Sequence, residues 1–184
     1  TSDAQQQLRT GLAMGADRAI LVDAADGVDP LSSARVIKAL RDKESPELVI
    51  VGKQAIDDDK NQTVQMVAAL WKRPQATFES KLEVDGDTLK ITREVDVGLE
   101  EIEVDLPAVV TADLRLNEPR YVKLPDIMKA KKKPLDTIAL GDLGIEAAPA
   151  IKTIAYEPPA ERQKGIMVDD VAGLIAALKE KGLI

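Results

Sequence analysis

Up to Pro74 the apolar positions switch back and forth between helical and strand periodicity. Leu8 to Met14 repeats at helical spacing, and Gly15 follows as a C-terminal cap. Residues 18–22, with Ala19-Ile20-Leu21-Val22 at their centre, form a short apolar run that reads as a buried strand. Pro30 stands where a helix starts, and Ala34, Ile37 and Leu40 give that helix its apolar stripe before Ser45-Pro46 breaks it. Leu48-Val49-Ile50-Val51, bounded by Gly52, is a second buried strand. A polar turn follows, and a helix is predicted from about Lys60 to Trp71, stopping ahead of Pro74. Strands and helices that alternate in this way specify a parallel sheet with helices on its faces.

Past Pro74 the period becomes two. Phe78 to Val84 alternates, Asp85-Gly86-Asp87 is a hairpin turn, and Leu89 to Val95 alternates again. Glu100 to Leu106 pairs charged with apolar positions, so one face of that strand is wet. Pro107 then leads into Ala108–Ala112, a fully apolar-faced run that returns to the sheet core. Residues 113–133 lose periodicity and read as an extended loop with a short helix near Ile127. Beyond Pro134 the chain reads as irregular, with Pro149, Pro158 and Pro159, until a last amphipathic helix carries Val171, Leu174, Ile175 and Leu178 on one face and ends at Gly182. The expected organisation is an α/β nucleotide-binding domain over 1–112, with a β-hairpin excursion at about 76–106. A loop and C-terminal arm follow over 113–184.

Composition narrows the chemistry. With 184 residues the chain is long enough for one sizeable core. A net charge of −7 argues against general binding to nucleic acid, which needs a basic face. No cysteine and no histidine are present, which removes thiolate and imidazole ligands, a cysteine nucleophile and a histidine general base. Aromatic residues are only 2%, so the chain is poorly equipped to stack a flavin ring by itself. No apolar run reaches the ~20 residues of a membrane span, and no secretory signal is visible. Composition therefore favours a module that binds a small molecule or a protein over an acid–base catalyst.

The chemistry concentrates in Gly52-Lys53-Gln54-Ala55-Ile56-Asp57-Asp58-Asp59-Lys60-Asn61-Gln62-Thr63. A strand, a turn and a helix in that order set free backbone N–H groups beside the carboxyl end of a strand, where open α/β sheets hold phosphates and nucleotides. Asn61, Gln62 and Thr63 add amide and hydroxyl donors suited to an anionic or ribose-bearing ligand. On local chemistry alone, the commoner role for Asp57, Asp58 or Asp59 is to cap the helix. A hydrolase built on these aspartates and a metal is disfavoured, since three adjacent side chains do not all point inward.

A second block lies further on, Leu106-Pro107-Ala108-Val109-Val110-Thr111-Ala112-Asp113-Leu114-Arg115-Leu116-Asn117-Glu118-Pro119-Arg120-Tyr121, continuing to Leu124-Pro125-Asp126-Ile127-Met128-Lys129-Ala130-Lys131-Lys132-Lys133-Pro134. Together with the Gly52–Thr63 turn, it closely resembles the β subunit of electron transfer flavoprotein, from about Leu8 to the C-terminus. The resemblance implies a doubly wound, mostly parallel α/β sheet of Rossmann-like, adenine-nucleotide α-hydrolase type, with an antiparallel β excursion and an extended C-terminal arm. It also implies that the family's first sheet strands precede the point where this sequence begins. In function it implies an electron carrier without catalytic residues of its own. Such a subunit pairs with an α subunit that holds FAD. The pair accepts electrons from flavoprotein dehydrogenases, such as the acyl-CoA dehydrogenases of fatty acid β-oxidation. It delivers them to electron transfer flavoprotein–quinone oxidoreductase. The implied location is the bacterial cytoplasm or the mitochondrial matrix, without membrane insertion.

Carried over residue by residue, the resemblance assigns contacts with a structural AMP to Ala55, Asp58, Asn61, Gln62 and Thr63. Asp58 suits a ribose hydroxyl or a backbone contact better than a phosphate. Flavin-bifurcating relatives carry Asp-Gly-Asp where this chain has Asp57-Asp58-Asp59, which favours AMP over a second FAD. The family also has glycine where Val64 stands, so Val64 is expected to crowd the nucleotide if that glycine serves close backbone approach. Leu124 matches the anchor of the family's partner-recognition loop. Pro125, Ile127 and Met128 form an apolar surround for it, and Lys129, Lys131, Lys132 and Lys133 are a charged rim that steers encounter. Lys129 and Lys132 match positions methylated in some relatives. The competing role for Leu124 is as an internal core residue. The competing reading of the whole chain is a stand-alone adenine-nucleotide-binding α/β module of the universal stress protein type.

Overall fold

The computed structural model describes residues 2–24, 28–146, 151–162 and 164–184, with the side chains of residues 2 and 3 excepted. Two compact units result, Thr1–Ile151 and Lys152–Ile184. The first runs α1 (Ser2–Ala13), β1 (Ala19–Asp23), α2 (Pro30–Glu44), β2 (Leu48–Gly52), α3 (Thr63–Trp71), β3 (Gln75–Asp85), β4 (Thr88–Val95), β5 (Gly98–Asp105), β6 (Ala108–Ala112), α4 (Leu124–Ala130) and β7 (Leu135–Ala139), with a short 3₁₀ turn at Leu140–Leu143. The second carries α5 (Val171–Glu180), whose start is capped by the Asp170 carboxylate accepting from the N–H of Gly173 at 2.7 Å.

The class is α/β with a mixed sheet. Strands order β2-β6-β3-β4-β5: the first three are mutually parallel, and β3-β4-β5 is the antiparallel excursion. β1 does not join this sheet. It pairs in parallel with β7, Ala19 opposite Leu135 through Asp23 opposite Ala139. The stretch after Pro134 is thus a strand and not the irregular tail its short, half-polar sequence suggests. Residues 113–143, grouped with the C-terminal arm on sequence, pack against α1 and β1 in the first unit.

β6 organises the core because both of its faces are buried. Val109 points to one side, into a cluster with Ala34 of α2 and Val64, Val67, Ala68 and Trp71 of α3. Ala108 and Val110 point to the other, among Ala76, Leu89, Ile91 and Val104 of the antiparallel strands. This is the period-two alternation of a strand sandwiched between two layers. Arg41 lays its guanidinium 4.3 Å from the Trp71 ring centroid and closes the helical layer by a cation–π contact.

α2 starts as its sequence predicts. Asp29 accepts from the N–H of Ser32 at 2.6 Å and Pro30 occupies the first turn, where its missing N–H costs nothing. α3 differs. It opens at Thr63 and not near Lys60, because Asp59 (φ 53°) and Asn61 (φ 46°) sit in the left-handed region, which a helix cannot include.

Candidate functional site

The loop from Gly52 to Gln62 rises from the carboxyl end of β2 and delivers the chain to α3. Lys53 fixes its base: its N–H donates to the Ala112 carbonyl at 2.9 Å, and its Nζ donates to Asp113 Oδ2 at 2.9 Å while lying 5.3 Å from the Phe78 ring centroid. Asp113 is buried and also accepts from Arg115 Nε at 2.8 Å, and Arg115 reaches Glu94 at 2.5 Å. The Arg115 guanidinium, with Lys53 beside it, holds the Asp113 carboxyl well below the usual carboxylate range. The two crossing points at the ends of β2 and β6 are thereby locked to one another.

Above that base, Asp57, Asp58 and Asp59 all bind locally. Asp57 accepts from the N–H of Asp58 at 2.9 Å. Asp58 accepts from the backbone N–H of Lys60 and pairs with its Nζ at 3.2 Å, and Lys60 draws the Asp58 carboxyl below its ordinary value. Asp59 accepts from the Gln54 amide. None of the three caps α3, contrary to the simplest reading of an acidic run ahead of a helix. Gln62 stands at the cap position without a side-chain hydrogen bond. Among the described residues, no acceptor engages the N–H groups of Thr63, Val64 and Gln65. α3 therefore presents an open, electropositive N-terminus.

These N–H groups border a cleft of about 240 Å³. Ala55, Asp58, Asn61, Gln62 and Thr63 all line it, joined by Pro30, Gly52, Lys53, Gln54, Lys60 and Gln65. A neighbouring hollow of about 520 Å³ shares the Gly52–Ala55 wall and extends over the end of β6, where Ala112, Asp113 and the exposed Leu114 border it. Val64 is 3% exposed and its side chain packs into the core with Ala34, Val67 and Trp71, yet it also lines the cleft at the first turn of α3.

Gln65 was not picked out from sequence. Its Nε2 donates to Asn61 Oδ1 at 3.2 Å, while its Oε1 is buried without a partner among the described residues. A buried acceptor of this kind is expensive to leave unmade. Gln65 is one of the residues that line the same cleft. Its spacing gave no helical signal, because Asn61 lies outside α3 in the left-handed region. Among the described residues no group of three or more acidic side chains gathers to hold a metal ion.

Leu124, Pro125, Ile127, Met128 and Lys129 lie on α4, and Lys132 just beyond it. Leu124 is 73% exposed, Met128 57% and Ile127 42%, whereas Ala130 is 1% exposed against the body of the unit. Leu124 is therefore not a core residue of this chain. Lys129 makes only a loose 3.8 Å pair with Asp126, and Lys131 and Lys132 project into solvent. Lys133 leaves the steering group. Its Nζ donates inward to the carbonyls of Leu12 (3.0 Å) and Ala16 (2.6 Å).

By fold, the chain is an α/β protein whose loop cleft opens at the carboxyl ends of parallel strands, the place where such sheets bind ligands. Sequence comparison makes this specific. The family model for the electron transfer flavoprotein domain matches residues 1–143. The electron transfer flavoprotein subunit beta of Bradyrhizobium diazoefficiens is 52% identical over 180 residues, covering 98% of this chain and 72% of the relative. The human protein of that name is 52% identical over 184 residues, with the same two coverages. A mitochondrial subunit beta of Arabidopsis thaliana is 52% identical over 176 residues, 95% of this chain and 70% of the relative. The chain belongs to the electron transfer flavoprotein family, and its likeness within that family is to the β subunit.

Proposed function

We propose that this chain serves as the β-type half of an electron carrier. It holds one AMP as a structural ligand in the α3 cleft, pairs with an α subunit that carries the FAD, and docks flavoprotein dehydrogenases through α4. Electrons then leave toward a quinone oxidoreductase. The observation that carries the nucleotide assignment is the uncapped start of α3: three aspartates precede it, yet its N–H groups remain open to a cleft lined by all five nominated residues. A phosphate suits that end of the helix by charge and by hydrogen bonding. The Asn61 amide and Thr63 hydroxyl supply further donors. Asp58, already held anionic by Lys60, suits a ribose hydroxyl and not the phosphate.

The sheet is accordingly read as part of a doubly wound, Rossmann-like domain, with AMP at its crevice. This chain supplies binding, orientation and a docking surface, and the redox chemistry belongs to the partner's flavin. No helix among the described residues is long and apolar enough to cross a membrane. By analogy with the Arabidopsis relative, the setting is the mitochondrial matrix if the source is eukaryotic, and the cytoplasm if it is bacterial.

Asn61→Ala and Thr63→Ala test the assignment. Each removes donors from the ligand, and each is expected to weaken nucleotide retention by about tenfold. A ligand that binds only the folded state stabilises it, so the melting temperature of the αβ complex should fall with it. The flavin potential should stay put, because the ligand is structural. Nucleotide still fully bound in both variants would contradict the site, and a large change of potential would place the cleft beside the redox centre.

A further inference from the structure

α1 and α4 meet through a reciprocal clasp of cations on carbonyls. Arg9 of α1 sends Nη1 to the carbonyls of Ala130 (2.7 Å) and Lys133 (2.8 Å), at the C-terminal end of α4. Lys133, in return, sends Nζ to the carbonyls of Leu12 and Ala16, at the C-terminal end of α1. The last turn of α1 contains no basic residue of its own, so Lys133 supplies from outside the positive charge that a helix C-terminus favours. Arg120 adds a longer contact of 3.5 Å to the Met14 carbonyl at the same junction. Beneath the clasp, Leu12 and Ala130 are both buried.

The consequence for α4 is directional. Its C-terminal end is held by Arg9, and the next residues run straight into β7, where the Pro134 carbonyl accepts from the N–H of Ala19 at 3.1 Å. Its N-terminal end has no side-chain cap, and Leu124, the most exposed apolar residue of the helix, sits there. The firmest side-chain hydrogen bonds on α4 are therefore at its C-terminal end, and the pose of Leu124 at the other end depends on the clasp.

We infer that Arg9 and Lys133 are positioning residues for the docking helix: they set the angle at which α4 presents Leu124 and Met128 to an electron-donating dehydrogenase, without themselves touching it. This rests on the reading of α4 as the donor-docking element. It divides a run of three consecutive lysines by role, with Lys131 and Lys132 free to steer and Lys133 turned inward.

The test uses the αβ complex with its flavin and a dehydrogenase donor, comparing Lys133→Met, Arg9→Met and the charge-conserving Arg9→Lys with Lys132→Ala. Lys133→Met and Arg9→Met should raise the KM for the dehydrogenase on the order of tenfold, since a misaligned contact group loses productive encounters. They should leave kcat and the salt slope near those of the parent, and they should speed amide exchange across residues 124–133. Arg9→Lys should restore part of the loss. Lys132→Ala should instead change the salt dependence of the on-rate and leave exchange in α4 alone. Unchanged exchange in Lys133→Met would overturn the clasp. Faster exchange with an unchanged KM would overturn the positioning role, and so would a salt slope that shifts as in Lys132→Ala. A Leu124→Ala control separates this from the underlying reading: if that variant keeps full donor-driven reduction, the docking role of α4 fails, while the exchange data still report the clasp.

Discussion

Leu124→Ala should slow dehydrogenase-driven reduction of the bound flavin by on the order of thirtyfold, the cost of truncating an interface hot spot worth about 2 kcal/mol. Leu124 opens α4 largely in solvent, beside Pro125 and the half-exposed Ile127 and Met128, and exposed lysines stand at its rim. An apolar anchor ringed by charge has the makeup of a protein–protein contact centre. Because the side chain buries little within this chain, the substitution should leave folding, αβ assembly and flavin content unchanged. Reduction by dithionite, which needs no docking, should proceed at the parent rate. Loss of both rates together would point to a structural role, and retention of both would remove Leu124 from the docking surface.

Glu79→Gln should make the protein more stable at pH 8 by roughly 3 kcal/mol while changing little at pH 4. Glu79 is fully buried in β3, and neither carboxylate oxygen has a hydrogen-bond partner among the described residues. Burial pushes its pKa up to about 7. The neighbouring charges are already committed. Arg93, its cross-strand partner on β4, binds Glu100, while Asp113 beyond β6 is held by Lys53 and Arg115. The folded form therefore holds this proton more tightly than the unfolded chain does. Its contribution to stability is complete below the unfolded value of about 4.5, declines as pH rises, and is lost once pH passes about 7. Denaturant melts of parent and variant across pH 4–8 give the difference directly. Parallel curves would mean that Glu79 finds a partner or water when ionised.

Glu79 also shows where sequence patterning stops. Strict alternation from Phe78 to Val84 puts Phe78 and Glu79 on opposite faces, with the aromatic inside. The register of β3 shifts between Glu79 and Lys81, Phe78 takes φ 64°, and the carboxylate goes in. A bulge that moves a strand by one residue exchanges its faces, and nothing local in Thr77-Phe78-Glu79-Ser80 announces it. By contrast, β4 and β5 were readable because Leu89 and Ile91, and Ile102 and Val104, alternate with polar residues and Asp85-Gly86-Asp87 marks the turn; Gly86 indeed takes φ 61°. β7 was not readable: Leu135–Ala139 is short and half exposed, and only its long-range pairing with β1 makes it a strand.

At the cleft, the strand–turn–helix order and the donors Asn61, Gln62 and Thr63 were legible from the Gly52–Thr63 turn, whereas Ala55 and Asp58 were nominated through the family resemblance alone. The helix start was not legible, because αL conformations at Asp59 and Asn61 delay it by three residues. The inward turn of Lys133 was equally hidden, since a run of lysines reads as a solvated face until α1 is found beside it.

Nucleotide analysis of the purified αβ complex decides whether the α3 cleft holds AMP. The complex is denatured, and the released nucleotides are separated and quantified per αβ pair. One AMP and one FAD per pair is the expected result. Two FAD per pair, or FAD with no AMP, would contradict it.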